Sequence, residues 1–136
     1  MDSGTIGRLI EAAKEVRKNA YAPFSGFKVG AAVLAGSGRI YTGVNVENSS
    51  YGLTICAERV AVFKAVSEGE RVIRAVAIYT ETEKPTWPCG ACRQVLLEFA
   101  EDDMDVISAT GDSVEVKKLS ELLPEGFRFS PEGRVI

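Results

Sequence analysis

No histidine occurs in the chain, and that absence removes more chemistry than any other feature of its composition. A Ser-His-Asp or Cys-His mechanism would have no base, and a transition metal would find no imidazole, so such an ion must be held by sulfur or carboxylate. Cysteine is scarce as well: Cys56, Cys89 and Cys92 are the only three. Three thiols cannot all pair within one chain, and in a reducing compartment pairing is not their expected use. No apolar run approaches the roughly 18 residues of a membrane span, and acids and bases occupy the N-terminal stretch where a signal peptide would be continuously apolar. A cytoplasmic location is the expectation. The 16 basic and 19 acidic residues are interspersed, the net charge is −3 and no Lys/Arg block is present. Such a chain lacks the electrostatic footprint needed to grip a phosphate backbone, so nucleic acid is not an expected partner.

What is there suits one compact domain over residues 1–136, with 46% hydrophobic content to build its core. Ile6, Leu9, Ile10, Ala13 and Val16 recur at three- and four-residue intervals among charged residues, which predicts an amphipathic helix over 5–19. Tyr21-Ala22-Pro23-Phe24-Ser25-Gly26 is loop chemistry and leaves Phe24 either tucked into the core or facing a ligand. Two strands, 27–34 and 39–46, flank Gly36-Ser37-Gly38 as a hairpin. Asn45 and Glu47, two apart, point the same way if the second strand persists that far; a solvated strand end is the alternative. With Thr54 as N-cap, Cys56–Ser67 reads as a helix ending at Gly69. Val72–Tyr79 is a nearly continuous apolar strand, and a third helix is expected over Cys89–Ala100. Short strands at 104–110 and 114–117 and a helical turn at 119–123 complete the order αββαβαββα, an α/β chain with parallel central strands.

The chemistry concentrates where two of these helices begin. Side chains in the first turn tilt toward the helix N-terminus, so three sulfurs can converge from two helix ends. Positions i and i+2 diverge by about 200° around a helix axis, so Cys56 and Glu58 share a site only if Cys56 sits at the helix mouth. Cys89-x-x-Cys92 has metal-ligand spacing, and zinc suits sulfur ligands without redox demands. Three protein ligands leave a fourth position for water, whose pKa zinc lowers toward about 7, with Glu58 to handle protons. Three thiolates make the site anionic. The positive helix ends and the guanidinium of Arg59, with Arg93, are placed to offset that charge. A redox or incidental Cys-x-x-Cys and a solvated Glu58 are the competing readings of each motif taken alone.

Together, Cys56-Ala57-Glu58-Arg59 and Pro88-Cys89-Gly90-Ala91-Cys92-Arg93-Gln94 resemble the zinc-dependent cytidine deaminases in their short, three-cysteine form. The resemblance extends to Tyr21–Ser25, Val29–Ala32, Asn45–Asn48, Leu122–Pro124 and Phe127. It implies a three-layer αβα fold with a five-stranded mixed sheet, and one Zn²⁺ per chain on Cys56, Cys89 and Cys92. Glu58 would activate water and relay protons to N3 and the departing amino group. The reaction would be hydrolysis of free cytidine and 2'-deoxycytidine, at C4, to the uridine products and ammonia in pyrimidine salvage. Asn45 and Glu47, with Val46 between them, match positions that bind the sugar hydroxyls, and Phe24 matches an aromatic near the nucleoside. Backbone groups around Ala57 would hold the base edge. Phe127 matches an aromatic that reaches a neighbouring subunit's site in a homotetramer, and Tyr51 is expected near such a boundary. The anionic Glu47 suits a free nucleoside over a phosphorylated one. The tail after Phe127, with Ser130-Pro131-Glu132-Gly133, carries no readable motif.

Three rivals stand beside this reading. A deaminase of the blasticidin type would share the metal motif, though Asn45-x-Glu47-Asn48 argues for ribose. A non-catalytic zinc-binding interaction module would use the cysteines for structure only. A polynucleotide-editing deaminase is disfavoured by charge.

Overall fold

The structure, a computed structural model, describes residues 1–129. The apolar stripe of the first helix and the alternation in the strands meet in one five-stranded sheet with helices on both faces. In chain order the elements are α1 (Ser3–Val16), β1 (Gly30–Ala35), β2 (Ile40–Val44), α2 (Ala57–Ser67), β3 (Ile73–Tyr79), α3 (Gly90–Phe99), β4 (Ala100–Ala109), β5 (Val114–Lys118) and α4 (Leu119–Leu122). The order is the one expected. The strands lie β2-β1-β3-β4-β5, with β3 and β4 parallel and the other neighbours antiparallel.

Alternation along the strands sorts their side chains into two cores. On one face Ala32, Ala75, Ala77, Tyr79, Ile107 and Ala109 pack with Leu9 and Ala13 of α1. On the other, Val33, Ile73, Val76, Ile78 and Val106 pack with Ala61 and Val62 of α2, Leu96 of α3 and Leu119 of α4. The result is three layers. Two glycines bring the layers close: a Cβ at Gly30 would lie 1.9 Å from the carbonyl oxygen of Ala13, and one at Gly43 would lie 2.4 Å from the amide nitrogen of Ala61. Neither backbone could stay where it is beside a larger residue.

This topology aligns two helix mouths. Both β2 and β3 run antiparallel to β1 and therefore in the same direction. The helices that follow them, α2 and α3, consequently start at the same end of the sheet, outside the carboxyl ends of β2 and β3, where open α/β sheets place their ligands.

Several boundaries differ from the sequence reading. Cys56, not Thr54, is the N-cap of α2, in extended backbone conformation; the Thr54 hydroxyl instead accepts the amide of Asn48 at 3.1 Å. Strand β2 ends at Val44, and Val46 continues only as isolated bridges to Tyr21 and Ile55. Strand β4 starts at Ala100, four residues early, because Ala100 pairs with Ile73 across a register shift. The first helix ends at Val16, short of the expected residue 19, and a 3-10 turn at Arg17–Asn19 follows it. Ser130–Gly133 lie outside the described residues.

Candidate active site

Three chain segments are stitched together at the carboxyl end of the sheet by backbone hydrogen bonds. Tyr21 donates its amide to the Asn45 carbonyl at 3.0 Å, and Glu47 donates to the Tyr21 carbonyl at 2.9 Å. Val46 and Ile55 exchange two bonds of 3.0 Å. The loop carrying Phe24, the segment Asn45–Glu47 and the approach to Cys56 are thereby held side by side, beside the first turn of α3.

Cys56 and Cys89 occupy equivalent places, each as N-cap of its helix with no side-chain capping bond, so both sulfurs are free to leave the helix axis. Cys92 lies in the first turn of α3, fully buried. The Cys56 and Cys89 sulfurs are 3.8 Å apart, those of Cys89 and Cys92 3.5 Å, and all three lie within 4.8 Å of one another. Sulfurs on a zinc ion with arms of about 2.3 Å in tetrahedral array sit roughly 3.8 Å apart. The donor set therefore fits zinc in both chemistry and spacing.

Electrostatics follow from crowding. The Cys92 thiol beside Cys56 holds the Cys56 sulfur down to about 5, with help from Arg59, whose Nη2 lies 3.6 Å away. Cys92 is driven up in turn, by Cys56 first and burial second. A bound dication takes the place of these protons and favours all three thiolates. Burial lifts the Glu58 carboxyl to about 7, and the negative charge of Cys56 pushes it the same way. Glu58 is only 5% exposed. Arg59 has its own ionisation raised by Cys56, and its buried Nε lacks a hydrogen-bond partner. Arg93 faces elsewhere: its Nε donates to the Pro88 carbonyl at 2.6 Å and its Nη1 to the Leu122 carbonyl at 2.7 Å. It braces the loop before Cys89 and does not face the sulfurs.

Two cavities meet at Thr54. The inner one, about 220 Å³, is lined by Cys56, Ala57, Glu58 and Cys89 at one end and by Phe27, Asn45, Thr86 and Trp87 around its wall. The outer one, about 370 Å³, is lined by Phe24, Ser25, Glu47, Tyr51 and Thr54. Asn45 is 8% exposed and bridges both sides of a backbone gap: its Oδ1 accepts from Val29 at 2.9 Å and its Nδ2 donates to the Phe27 carbonyl at 2.8 Å. Glu47 accepts from the amides of Phe24 and Ser25, at 2.9 and 3.1 Å, and from the Ser25 hydroxyl. The hydroxyl, then its own partial burial in opposition, and then the two amides leave that carboxyl below its usual range. Phe24 meets Tyr51 edge-on at 5.8 Å between ring centres.

The residues singled out from sequence thus fall into two groups. Cys56, Ala57, Glu58, Cys89 and Cys92 come together at the inner end with Arg59 behind them, and Asn45 forms part of the inner wall. Phe24, Glu47 and Tyr51 share the outer cavity, while Val46 is half-exposed in the segment between. Phe127 lines neither cavity; its carbonyl accepts from Gln94 of α3 at 3.0 Å, and its ring packs edge-on against Phe129, both rings exposed. Sequence reasoning missed Phe27, Thr86 and Trp87. Trp87, immediately before the Pro-Cys pair, carried the only available signal, and its ring is covered by Lys117 Nζ at 4.8 Å.

Residues 4–108 match the model of the cytidine and deoxycytidylate deaminase zinc-binding region. The chain belongs to this family. It is 49% identical over 124 residues to the cytidine deaminase of Sporosarcina psychrophila, covering 90% of both chains, and 50% identical over 121 residues to that of Halalkalibacterium halodurans, covering 88% of this chain and 91% of the relative. Its fold matches the crystal structure of cytidine deaminase from Burkholderia pseudomallei with a TM-score of 0.85 at 45% identity, over 93% of this chain and 100% of that one. Family membership and the sulfur geometry agree on Zn²⁺ as the resident metal. Among the described residues, no helix is long and apolar enough to cross a membrane.

Proposed function

We propose that this protein hydrolyses free cytidine and 2'-deoxycytidine to uridine and 2'-deoxyuridine, releasing ammonia, as a cytoplasmic single-domain enzyme of pyrimidine salvage. The observation that carries the reading is the inner end of the cavity, where Cys56, Cys89 and the buried carboxyl of Glu58 line one space and the sulfur of the buried Cys92 lies within 4.8 Å of the other two. Cys56, Cys89 and Cys92 would hold the zinc. When bound, that ion supplies Lewis acidity toward water and hence a nucleophile at neutral pH. Glu58 is the catalytic acid and base. Its carboxyl takes one proton from the attacking water and delivers it to N3 of the pyrimidine, then carries the second, from the new C4 hydroxyl, to the amino group as ammonia leaves, a cycle that needs a group able to gain and lose a proton at the working pH. The positive ends of α2 and α3, together with Arg59, offset the charge of three thiolates.

The two-chambered cavity supports a nucleoside in place of a larger substrate. A base in the inner chamber meets Phe27, Trp87 and the backbone near Ala57, and its sugar extends past Asn45 of the inner wall to Glu47 and Phe24 in the outer one. A carboxylate there repels a 5'-phosphate and a polynucleotide backbone. We further assign the homotetramer to this chain, with Phe127 reaching a neighbouring subunit's site and Tyr51 near the same boundary. The exposed Tyr51, Phe127 and Phe129 support that assignment. An ultraviolet assay with cytidine and deoxycytidine, run beside zinc quantification per chain, tests the proposal. Turnover of both with about one zinc per chain is expected; a marked preference for a cytosine-containing antibiotic, or full activity without metal, would overturn it.

A further inference from the structure

The outer chamber contains a hydroxyl that no part of the mechanism uses. Ser25 Oγ accepts the Phe27 amide at 3.0 Å and donates to Glu47 Oε2. A hydroxyl has a single proton, and with its oxygen engaged by Phe27 that proton is committed to the carboxylate. Glu47 Oε1 already receives two amides, from Phe24 and Ser25. A carboxylate offers about four lone-pair sites, so the remaining acceptor capacity lies on Oε2, the atom that Ser25 holds. The terminal torsion of a glutamate is broad and nearly two-fold. The amides hold Oε1, and the Ser25 hydroxyl holds Oε2, so together they fix the plane of the carboxylate and the direction of the lone pair left on Oε2. The same hydroxyl ties this oxygen to Phe27, whose ring lines the inner chamber.

From this geometry we infer that Ser25 is a positioning residue, which aims Glu47 Oε2 at a hydroxyl of the substrate's sugar and so sets the preference for nucleosides that carry it. The inference rests on the proposed role of Glu47 in binding the sugar. Ser25 contributes through Glu47, by holding the carboxylate in the orientation that the sugar hydroxyl meets; it makes no contact with the reacting atoms.

The test uses the zinc-loaded enzyme, with cytidine as substrate and 2',3'-dideoxycytidine as a competitor that lacks the 2'- and 3'-hydroxyls of the sugar. Ser25→Ala is expected to raise the cytidine KM about fivefold while acting little on kcat and shifting the competitor's Ki by less than about twofold. Ser25→Thr, which keeps the hydroxyl, restores the KM. In a Glu47→Gln background, Ser25→Ala adds no further KM increase, as coupling through one carboxylate requires. A cytidine KM unchanged by Ser25→Ala, or equal weakening of cytidine and competitor as general loop damage would give, overturns the inference. Selective weakening of cytidine by Glu47→Gln alone would then leave the role of Glu47 standing. If Glu47→Gln weakens both probes equally, that role falls and the inference falls with it.

Discussion

The two ends of the cavity are built by opposite means. At the inner end Cys92 is fully buried, Glu58 nearly so, and the sulfurs come from the mouths of two helices whose positions follow from the sheet. At the outer end Phe24, Ser25 and Glu47 are loop residues and Tyr51 opens a 3-10 turn, held by hydrogen bonds to one carboxylate and by one aromatic contact. Burial raises the Glu58 carboxyl, and crowding of the thiols, more than burial, sets the Cys56 sulfur low and the Cys92 sulfur high. At the outer end the Ser25 hydroxyl and two amides instead hold the Glu47 carboxyl below its usual range. The two chambers thus meet at Thr54 in different dielectric settings.

That contrast can be broken most severely at the inner end. Glu58→Gln removes the proton carrier but keeps the shape, so turnover should fall by roughly 10²- to 10⁴-fold while zinc per chain and the unfolding temperature stay near wild type; normal turnover would dismiss the mechanism. Stripping the metal with a chelator should abolish turnover and restore it on adding zinc, with a lower unfolding temperature for the stripped protein, because binding energy to thiolates contributes to folding. At the outer end the effects should be smaller and fall on KM. Glu47→Gln is expected to raise the cytidine KM by about tenfold with a lesser change in kcat, as expected for a hydrogen bond to a charged acceptor. A loss confined to kcat would instead move Glu47 into the reaction centre.

Two further variants test whether the helices, and not the loops, hold the inner geometry. Gly43→Ala inserts a methyl against the Ala61 amide and should cost about 1–3 kcal/mol, visible as a lower midpoint in urea, together with weaker zinc retention as α2 moves. The smallest effect is expected far from the cavity. Asp2 caps α1 by accepting the Thr5 amide at 2.7 Å, and that bond is the main reason its carboxyl titrates below its usual range. A depressed folded-state pKa contributes stability above the unfolded value and loses it as pH falls through the folded one. Asp2→Ala should therefore lower the unfolding temperature slightly at neutral pH, by an amount that vanishes in acid, and leave zinc content and KM alone.

Much of the fold was legible because its signals are local. Ile6, Leu9, Ala13 and Val16 keep helical period, Gly36-Ser37-Gly38 marks the hairpin, and Val72–Tyr79 reads as a strand covered on both faces, so the order αββαβαββα emerges from periodicity and turn chemistry alone. The misplaced boundaries are those where a distant partner intervenes. Strand β2 stops at Val44 because the Asn45 side chain turns to the backbone of Phe27 and Val29. Thr54 had the better residue type for an N-cap, but Cys56 takes the place. Arg93 is adjacent to a cysteine in sequence and yet bonds two carbonyls, one of them in α4.

By itself the amino-acid sequence determined the chemistry available here: with histidine absent, three thiols at the starts of two helices and one acid two residues from the first of them leave a sulfur-held zinc and a carboxylate shuttle as the workable set. Only the tertiary structure decided how far apart the sulfurs lie, that Glu58 is buried enough to titrate near neutrality, and that Phe27, Thr86 and Trp87 wall the inner chamber. Residue types and short spacings are properties of the chain, whereas distances and dielectric arise only when segments remote in sequence are packed against one another.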